Sequence, residues 1–327
     1  MKTRASRHVA LVDKGPTVPA VQVEGFDEIQ REISAGHPLW LDIQDATPEE
    51  TERIQKLFSF HPLAIEDVHH AIQRPKIEEY DDQIFLVAFG VRIDEGTRFT
   101  PLEVDIFLGA RYLVSFHEEP VAALDLVAER CMRGRVPLEK GADRLLRELL
   151  DGLVDSYSPL LEAFDDEMEK IEQRLPGVPG ERLLREIFAT RRRLLDLRRL
   201  LIPQRDLLGH LVVREYRWIS TEERTYFRDI YDHLVRFTEA VDRIHELLDT
   251  AVEIYLGQAA YGTNRVMKIL AVIATMGLPL TVTTGFFGMN FRHLPGLGRP
   301  EAIGLLIGAL VVIEVALVVV FRRKGWL

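Results

Sequence analysis

A single cysteine, Cys131, among 327 residues excludes a disulfide framework within the chain and leaves no thiolate cluster to bind a metal. The amino-terminal stretch MKTRASRHVALVDKG has no apolar h-region of the secretory kind, so the charged bulk of the chain is expected to stay in the cytoplasm. Basic charge is in deficit: 51 Asp and Glu against 41 Lys and Arg give a formal net charge of −10. No Lys/Arg stripe interleaved with aromatics is present, which argues against nucleic-acid binding. A nucleophile–base arrangement, a phosphate loop and a metal-hydrolase motif are also missing, so the expected function is not enzymatic.

What is present lies at the carboxyl end. A mean hydropathy of −0.01 averages two unlike parts: residues 1 to about 265 are charged throughout, and the tail is almost wholly apolar. Ile269 to Phe291 is a run of 23 residues with no ionisable side chain, and Ala302 to Phe321 is a run of 20 broken only by Glu314. Crossing a bilayer core takes about 20 apolar helical residues, so both runs are long enough. The ten residues between them, RHLPGLGRPE, hold two Pro and two Gly and read as a short loop joining an antiparallel hairpin. Soluble helices rarely stay apolar on every face for five turns. Arg265 and Lys268 precede the first run and Arg322, Arg323 and Lys324 follow the second, while the loop carries only Arg292 and Arg299. The positive-inside rule then places both termini in the cytoplasm and the loop outside, with Trp326 as an interfacial anchor. Two helices cannot enclose a pore, so conduction through this tail would require an oligomer.

Upstream, HPLWLDIQ, DQIFLVAFGVRI and LEVDIFLGARYLVSFHEE read as strands, rich in Val, Ile, Phe and Tyr and bounded by turn residues. TPEETERIQKLFSF opens on a Thr cap with acidic residues behind it and reads as a helix. Residues 1–140 are therefore expected to form a small α/β domain with a largely antiparallel sheet, and residues 141–265 long helices. Leu145, Leu149, Leu153, Tyr157, Leu160, Leu161, Phe164 and Met168 make an apolar stripe at helical spacing. LPGVPG at 175–180 reads as a hairpin tip, and Glu181 to about Trp218 as a second helix with Pro203 as a kink. A third helix starts near Ser220 and meets no strong breaker before Pro279, so it should run unbroken into the first membrane segment, 266–291. The loop, 292–301, the second membrane helix, 302–322, and a basic tail, 323–327, complete the expected organisation.

Three stretches, YGTNRVMKIL (261–270), PLTVTTGFFGMNF (279–291) and FRRKGWL (321–327), resemble the CorA family of divalent-cation channels, which is marked by a Gly-Met-Asn triplet at the end of its first membrane helix. HPLAIEDVHHAIQRPKIEEYDDQIFLV (61–87) and YFRDIYDH (226–233) resemble that family's cytoplasmic domain, so the likeness covers most of the chain in order. The resemblance implies a homopentamer in a lipid bilayer, the cell's inner membrane, with an α+β cytoplasmic domain whose long helices continue into a two-helix transmembrane hairpin. The whole would be funnel-shaped, with the first membrane helix lining the pore. It implies Mg²⁺ as the usual cargo, with Co²⁺ or Ni²⁺ also carried.

The helical face Met267, Leu270, Ala274, Leu278, Thr281 and Gly285 is apolar in its cytoplasmic half and small or polar in its outer half. The resemblance places this face on the pore axis, where Met267, Leu270 and Leu278 are candidates for a gate that closes by dewetting. The same residues also suit ordinary lipid-facing or packing positions. Asn264 and Asn290 bracket the face with amides. A ring of amide oxygens can accept hydrogen bonds from the water that Mg²⁺ holds tightly, whereas carboxylates would bind too firmly for release. Asn290 is thus the expected selectivity residue, with Gly288 permitting close approach and Met289 packing behind; a helix C-cap is an alternative role for Asn290. By resemblance, Glu66 and Asp67 face Asp229 of a neighbouring subunit and hold regulatory Mg²⁺, which would shut the pore when filled. The alternative is that these acids are solvated surface charges. His69, His70 and His117 have no spacing of a strong metal-ligand motif.

Two features depart from the family pattern. Relatives that carry magnesium have an acidic residue in the outer loop, where this chain has Gly296 and adds Arg292 and His293, with only Glu301 nearby. A basic mouth repels cations, and the loop is closer to that of the zinc-transporting branch, so a Zn²⁺ transporter is the alternative reading. Glu314, mid-span, is a functional-site hypothesis on physical grounds. It is expected either to hydrogen-bond Thr281, Thr283 or Thr284 or to titrate during transport. A third reading, a membrane-tethered sensor, gives no use for Asn264, Thr281 and Asn290 at the ends of an otherwise apolar helix.

Overall fold

The computed structural model describes residues 7–14, 20–69, 74–136, 138–176, 180–289 and 300–326. They fall into two units, one comprising residues up to 173 together with 185–250, the other 174–184 together with 251 onward.

The first unit is built on a seven-stranded sheet: β1 (Arg7–Val12), β2 (Val21–Val23), β3 (Leu39–Gln44), β4 (Lys76–Tyr80), β5 (Gln83–Glu95), β6 (Arg98–Leu108) and β7 (Tyr112–His117). Their order is β2-β1-β3-β7-β6-β5-β4. Every pairing is antiparallel except the central one, β3 with β7, where Leu39 lies opposite Tyr112 and Gln44 opposite His117. In the turn from β6 to β7 a Cβ at Gly109 would come within 2.3 Å of the Tyr112 ring, which would have to shift to admit it. Helices α1 (Phe26–Ala35), α2 (Pro48–Phe58) and α3 (Pro62–His69) cover one face. Ile29, Ile54, Phe58, Ala64 and Ile65 on these helices share one core with Leu41, Phe85, Val87, Phe107 and Phe116 of the strands. Thr47 starts α2 with a capping box: its hydroxyl accepts from the Glu50 N–H at 3.3 Å, and the Glu50 carboxylate accepts from the Thr47 N–H at 2.9 Å.

The other face carries α5 (Ala142–Asp155), packed on β5, β6 and β7, and beside it α4 (Ala122–Met132). Residue 140 therefore lies inside one unit, because α5 belongs to the sheet's core. The apolar stripe expected from Leu145 to Met168 is also divided. α5 stops at Asp155 and α6 runs Ser158–Arg174. At the break, the Ser156 hydroxyl accepts the Val91 N–H at 2.9 Å and the buried Tyr157 hydroxyl donates to the Phe89 carbonyl at 3.0 Å. Helix α7, Glu181–Val213, contains Pro203 within it and ends five residues short of the expected Trp218. The residues beyond it turn so that Tyr216 and Ile219 are buried.

β4 pairs with β5 only as far as Val87, and beyond it the edge of β5 is closed by side chains. The Gln204 amide of α7 accepts the Phe89 N–H at 3.1 Å and donates to the Phe89 carbonyl at 3.1 Å. Gln204 and Ser156 thus continue the ladder that β4 leaves off.

Helix α8, Thr221–Phe287, is one helix of 67 residues with Pro279 inside it, and it runs unbroken as the absence of breakers implied. Helix α9, Pro300–Arg323, follows. The second unit holds the end of α8 and all of α9, and both helices are long and apolar enough to cross a membrane. Trp326 folds back so that its ring stacks on Phe321, centroids 5.9 Å apart.

Candidate ion path and cation-binding residues

The α8 face singled out from the sequence is open along its whole length. Met267 is 63% exposed, Leu270 66% and Leu278 62%; Asn264, Ala274, Thr281 and Gly285 are exposed as well. Apolar side chains left bare in a row in one chain call for a lipid or protein neighbour. Every threonine hydroxyl in this stretch turns back onto its own helix. Thr275 donates to the Ala271 carbonyl, Thr281 to Gly277, Thr283 to Pro279 and Thr284 to Leu280, at 2.7–2.8 Å. Such back-bonding satisfies the hydroxyl without a second helix.

The helix closes at Gly288, whose N–H donates to the Thr284 carbonyl at 2.9 Å. A Cβ there would lie 2.8 Å from that carbonyl oxygen, a backbone atom that cannot step aside, so the first position of the Gly-Met-Asn triplet must be bare. Met289 is 57% exposed. Asn290 lies outside the described residues, as do His70 and the loop residues Arg292, His293, Gly296 and Arg299.

Glu314 does not form the expected hydrogen bond to Thr281, Thr283 or Thr284. Those hydroxyls donate to carbonyls of their own helix, and Glu314 Oε1 is enclosed with no hydrogen-bond partner among the described residues.

Glu66 is exposed on α3. Asp67, half-buried, accepts from Lys76 Nζ at 2.6 Å, and Lys76 also reaches Glu78 at 3.0 Å. Burial opposes the charge on Lys76, but these two carboxylates outweigh it and raise its pKa. The side chain of Asp229 on α8 is 75% exposed, with His233 Nε2 3.9 Å away one turn on. Within one chain, no group of three or more His, Cys, Asp or Glu among the described residues is arranged to hold a metal. Lys76 as a tether for Asp67 was not foreseen; the only sequence signal is a lysine nine residues further on.

His117 is buried. Its Nδ1 lies 2.6 Å from the Glu119 carbonyl and its Nε2 3.3 Å from an Asp42 carboxylate oxygen. The other Asp42 oxygen accepts from the Ser115 hydroxyl, which in turn accepts from Trp40 Nε1 at 3.1 Å. His117 is thus committed inside the fold, while His69 is exposed at the end of α3.

Sequence reading missed Asp105. It stands on β6 opposite Val87 of β5 and Phe116 of β7, is 6% exposed, and its Oδ1 has no hydrogen-bond partner among the described residues. Desolvation, then Glu103 and Asp67, push its pKa well above the usual carboxylate range. The signal was an Asp between Val104 and Ile106 in a run otherwise suited to burial.

A family model described as CorA-like Mg²⁺ transporter protein matches residues 35–323. The cobalt/magnesium transport protein CorA of Thermotoga maritima is 32% identical over 293 residues, covering 89% of this chain and 84% of that protein. The zinc transport protein ZntB of Yersinia pseudotuberculosis is 27% identical over 308 residues, covering 90% of this chain and 89% of that one. Among solved structures, the complete CorA magnesium transporter from Methanocaldococcus jannaschii superposes with a TM-score of 0.82 at 24% identity, covering all of both chains.

Proposed function

Because the chain belongs to the CorA-like Mg²⁺ transporter family, whose members are ion transporters and not enzymes, we propose that it carries divalent cations across the cell's inner membrane. Mg²⁺ is the main cargo, with Co²⁺ or Ni²⁺ also carried. The path is the axis of a homopentamer in which each chain contributes α8, both termini are cytoplasmic, and α9 forms the outer layer. The observation that carries this reading is the bare α8 face from Asn264 to Gly285, which ends in Gly288, Met289 and Asn290. Met267, Leu270 and Leu278 serve as the dewetting gate and Asn290 as the selectivity ring. Intracellular Mg²⁺ closes the pore by bridging Glu66 and Asp67 of one subunit to Asp229 of the next. On this reading the cation competes with Lys76 for Asp67, which makes closure sensitive to Mg²⁺ level and not permanently engaged.

A second reading, Zn²⁺ transport coupled to protons, is favoured by one observation. Glu314 has an enclosed oxygen, unpartnered among the described residues, at a depth where ionisation is expensive, which is what a proton carrier requires. Liposomes loaded with Mg²⁺- or Zn²⁺-sensitive dyes decide between the two. The expected result is Mg²⁺ influx that ignores a pH gradient and is mostly lost in Asn290→Ala. Zn²⁺ uptake that follows the pH gradient and is abolished by Glu314→Gln, with little Mg²⁺ entry, would establish the second reading instead.

A further inference from the structure

A cavity of about 340 Å³ opens in the first unit between β6 and β7 on one side and α2 and α3 on the other. Five carboxylates line it, from Asp45, Glu103, Asp105, Glu118 and Glu119, and no Lys or Arg is among its described lining residues. Glu119 is engaged by Arg92 at 3.4 Å. Lys76, whose charge acts on Asp105, is held by Asp67 and Glu78. His117 borders the space but is committed to Asp42 and the Glu119 carbonyl. Asp105 sits in the cavity wall, 6% exposed, with Oδ1 unpartnered among the described residues.

A buried carboxyl oxygen without a partner is a standing penalty, and a bound ion with its water is one arrangement that removes it. We propose that this cavity binds a divalent cation that retains most of its water, anchored through Asp105 and neutralised at the rim by Asp45 and Glu118. The shape of the site selects the ligand. Zinc requires three or four converging protein ligands, and the described residues offer no such group. Mg²⁺ keeps an octahedral water shell and binds through one or two carboxylates, the remainder reached through its waters. Six waters at roughly 30 Å³ each come to about 180 Å³, which the cavity accommodates. The site is contained within one chain and does not depend on the transport reading.

The test is a count of bound Mn²⁺, an octahedral oxygen-seeking stand-in for Mg²⁺ with a direct spectroscopic signal. Metal-stripped full-length protein in detergent is titrated with Mn²⁺ while free Mn²⁺ is read by electron paramagnetic resonance. Sites at subunit contacts or in the pore remain in both proteins, so the difference between them isolates the cavity. Asp105→Asn is expected to bind one Mn²⁺ fewer per chain, and excess Mg²⁺ to displace that Mn²⁺ from the unaltered protein. Mg²⁺ should also raise the melting temperature of the unaltered protein more than that of the variant, since a ligand stabilises only the fold that binds it. Equal stoichiometry and affinity in the two proteins would overturn the site and leave Asp105 a protonated structural acid. Should Asp105→Asn fail to fold, the double variant Asp45→Asn/Glu118→Gln decides, because Glu118 is exposed and Asp45 only half-buried. It is expected to weaken the same Mn²⁺ several-fold, and unchanged binding counts against the proposal.

Discussion

His117 lies between the Asp42 carboxylate and the Glu119 carbonyl, and each favours the charged imidazole. Burial works against that charge, yet the two partners prevail and the pKa stands above the ordinary 6.5. A folded-state pKa raised above the unfolded one gives stability that is full below pH 6.5 and lost as pH rises through the folded value. The melting temperature should therefore decline as pH is raised above 6.5, and Asp42→Asn should flatten that decline while still offering Ser115 an acceptor. An unchanged pH profile in Asp42→Asn would mean that His117 is neutral in the fold. Little of this was legible beforehand, because Asp42 and His117 are 75 residues apart and meet only through the parallel pairing of β3 with β7. Asp105 escaped notice for a related reason. Alternation along LEVDIFL puts Leu102, Val104 and Ile106 on one side and Glu103 and Asp105 on the other, which reads as polar-outward. The second face is covered because α1, α2 and α3 lie over it.

At the scale of elements, boundaries set by local chemistry were readable and those set by distant partners were not. The capping box at Thr47 is complete within four residues, and α8 runs on because nothing between Ser220 and Pro279 stops it. The break between α5 and α6 has no such local cause: the Leu145-to-Met168 stripe runs straight across it. At that break the Ser156 hydroxyl accepts the Val91 N–H, 65 residues away, while the Ser156 backbone keeps helical angles. Gln204 answers the same need one step along the strand, and neither side chain is identifiable before the length of β4 is known. Gln204→Leu is expected to destabilise the fold by about 2–3 kcal/mol, since the buried Phe89 N–H loses its acceptor while its carbonyl keeps only Tyr157. Ser156→Ala should cost about 1–3 kcal/mol for the Val91 N–H alone. Thermal unfolding followed by near-ultraviolet circular dichroism measures both; a change under about 0.5 kcal/mol, typical of surface sites, would mean that water replaces these side chains at the edge.

For the molecule as a whole, the chemistry of one residue makes membrane orientation measurable. Cys131 is buried, and desolvation together with Glu148 pushes its thiol up to about 12, so it stays protonated and unreactive at neutral pH. A maleimide should therefore leave the native protein unlabelled over a time that fully labels the denatured chain. In a Cys131→Ser background, a membrane-impermeant maleimide applied to intact cells should modify Gly296→Cys and spare Lys324→Cys; the reverse pattern would invert the orientation proposed from the flanking Lys and Arg. The side-chain closure of β5 has a further consequence, in time and not in energy. Phe89 and Gln204 are 115 residues apart in the chain. At roughly 5–20 residues per second of synthesis, the strand waits about 6–23 s on the ribosome for the residue that closes it. During that wait the Phe89 backbone is an unpaired strand edge, the kind of surface that can pair with the same edge on a neighbouring nascent copy.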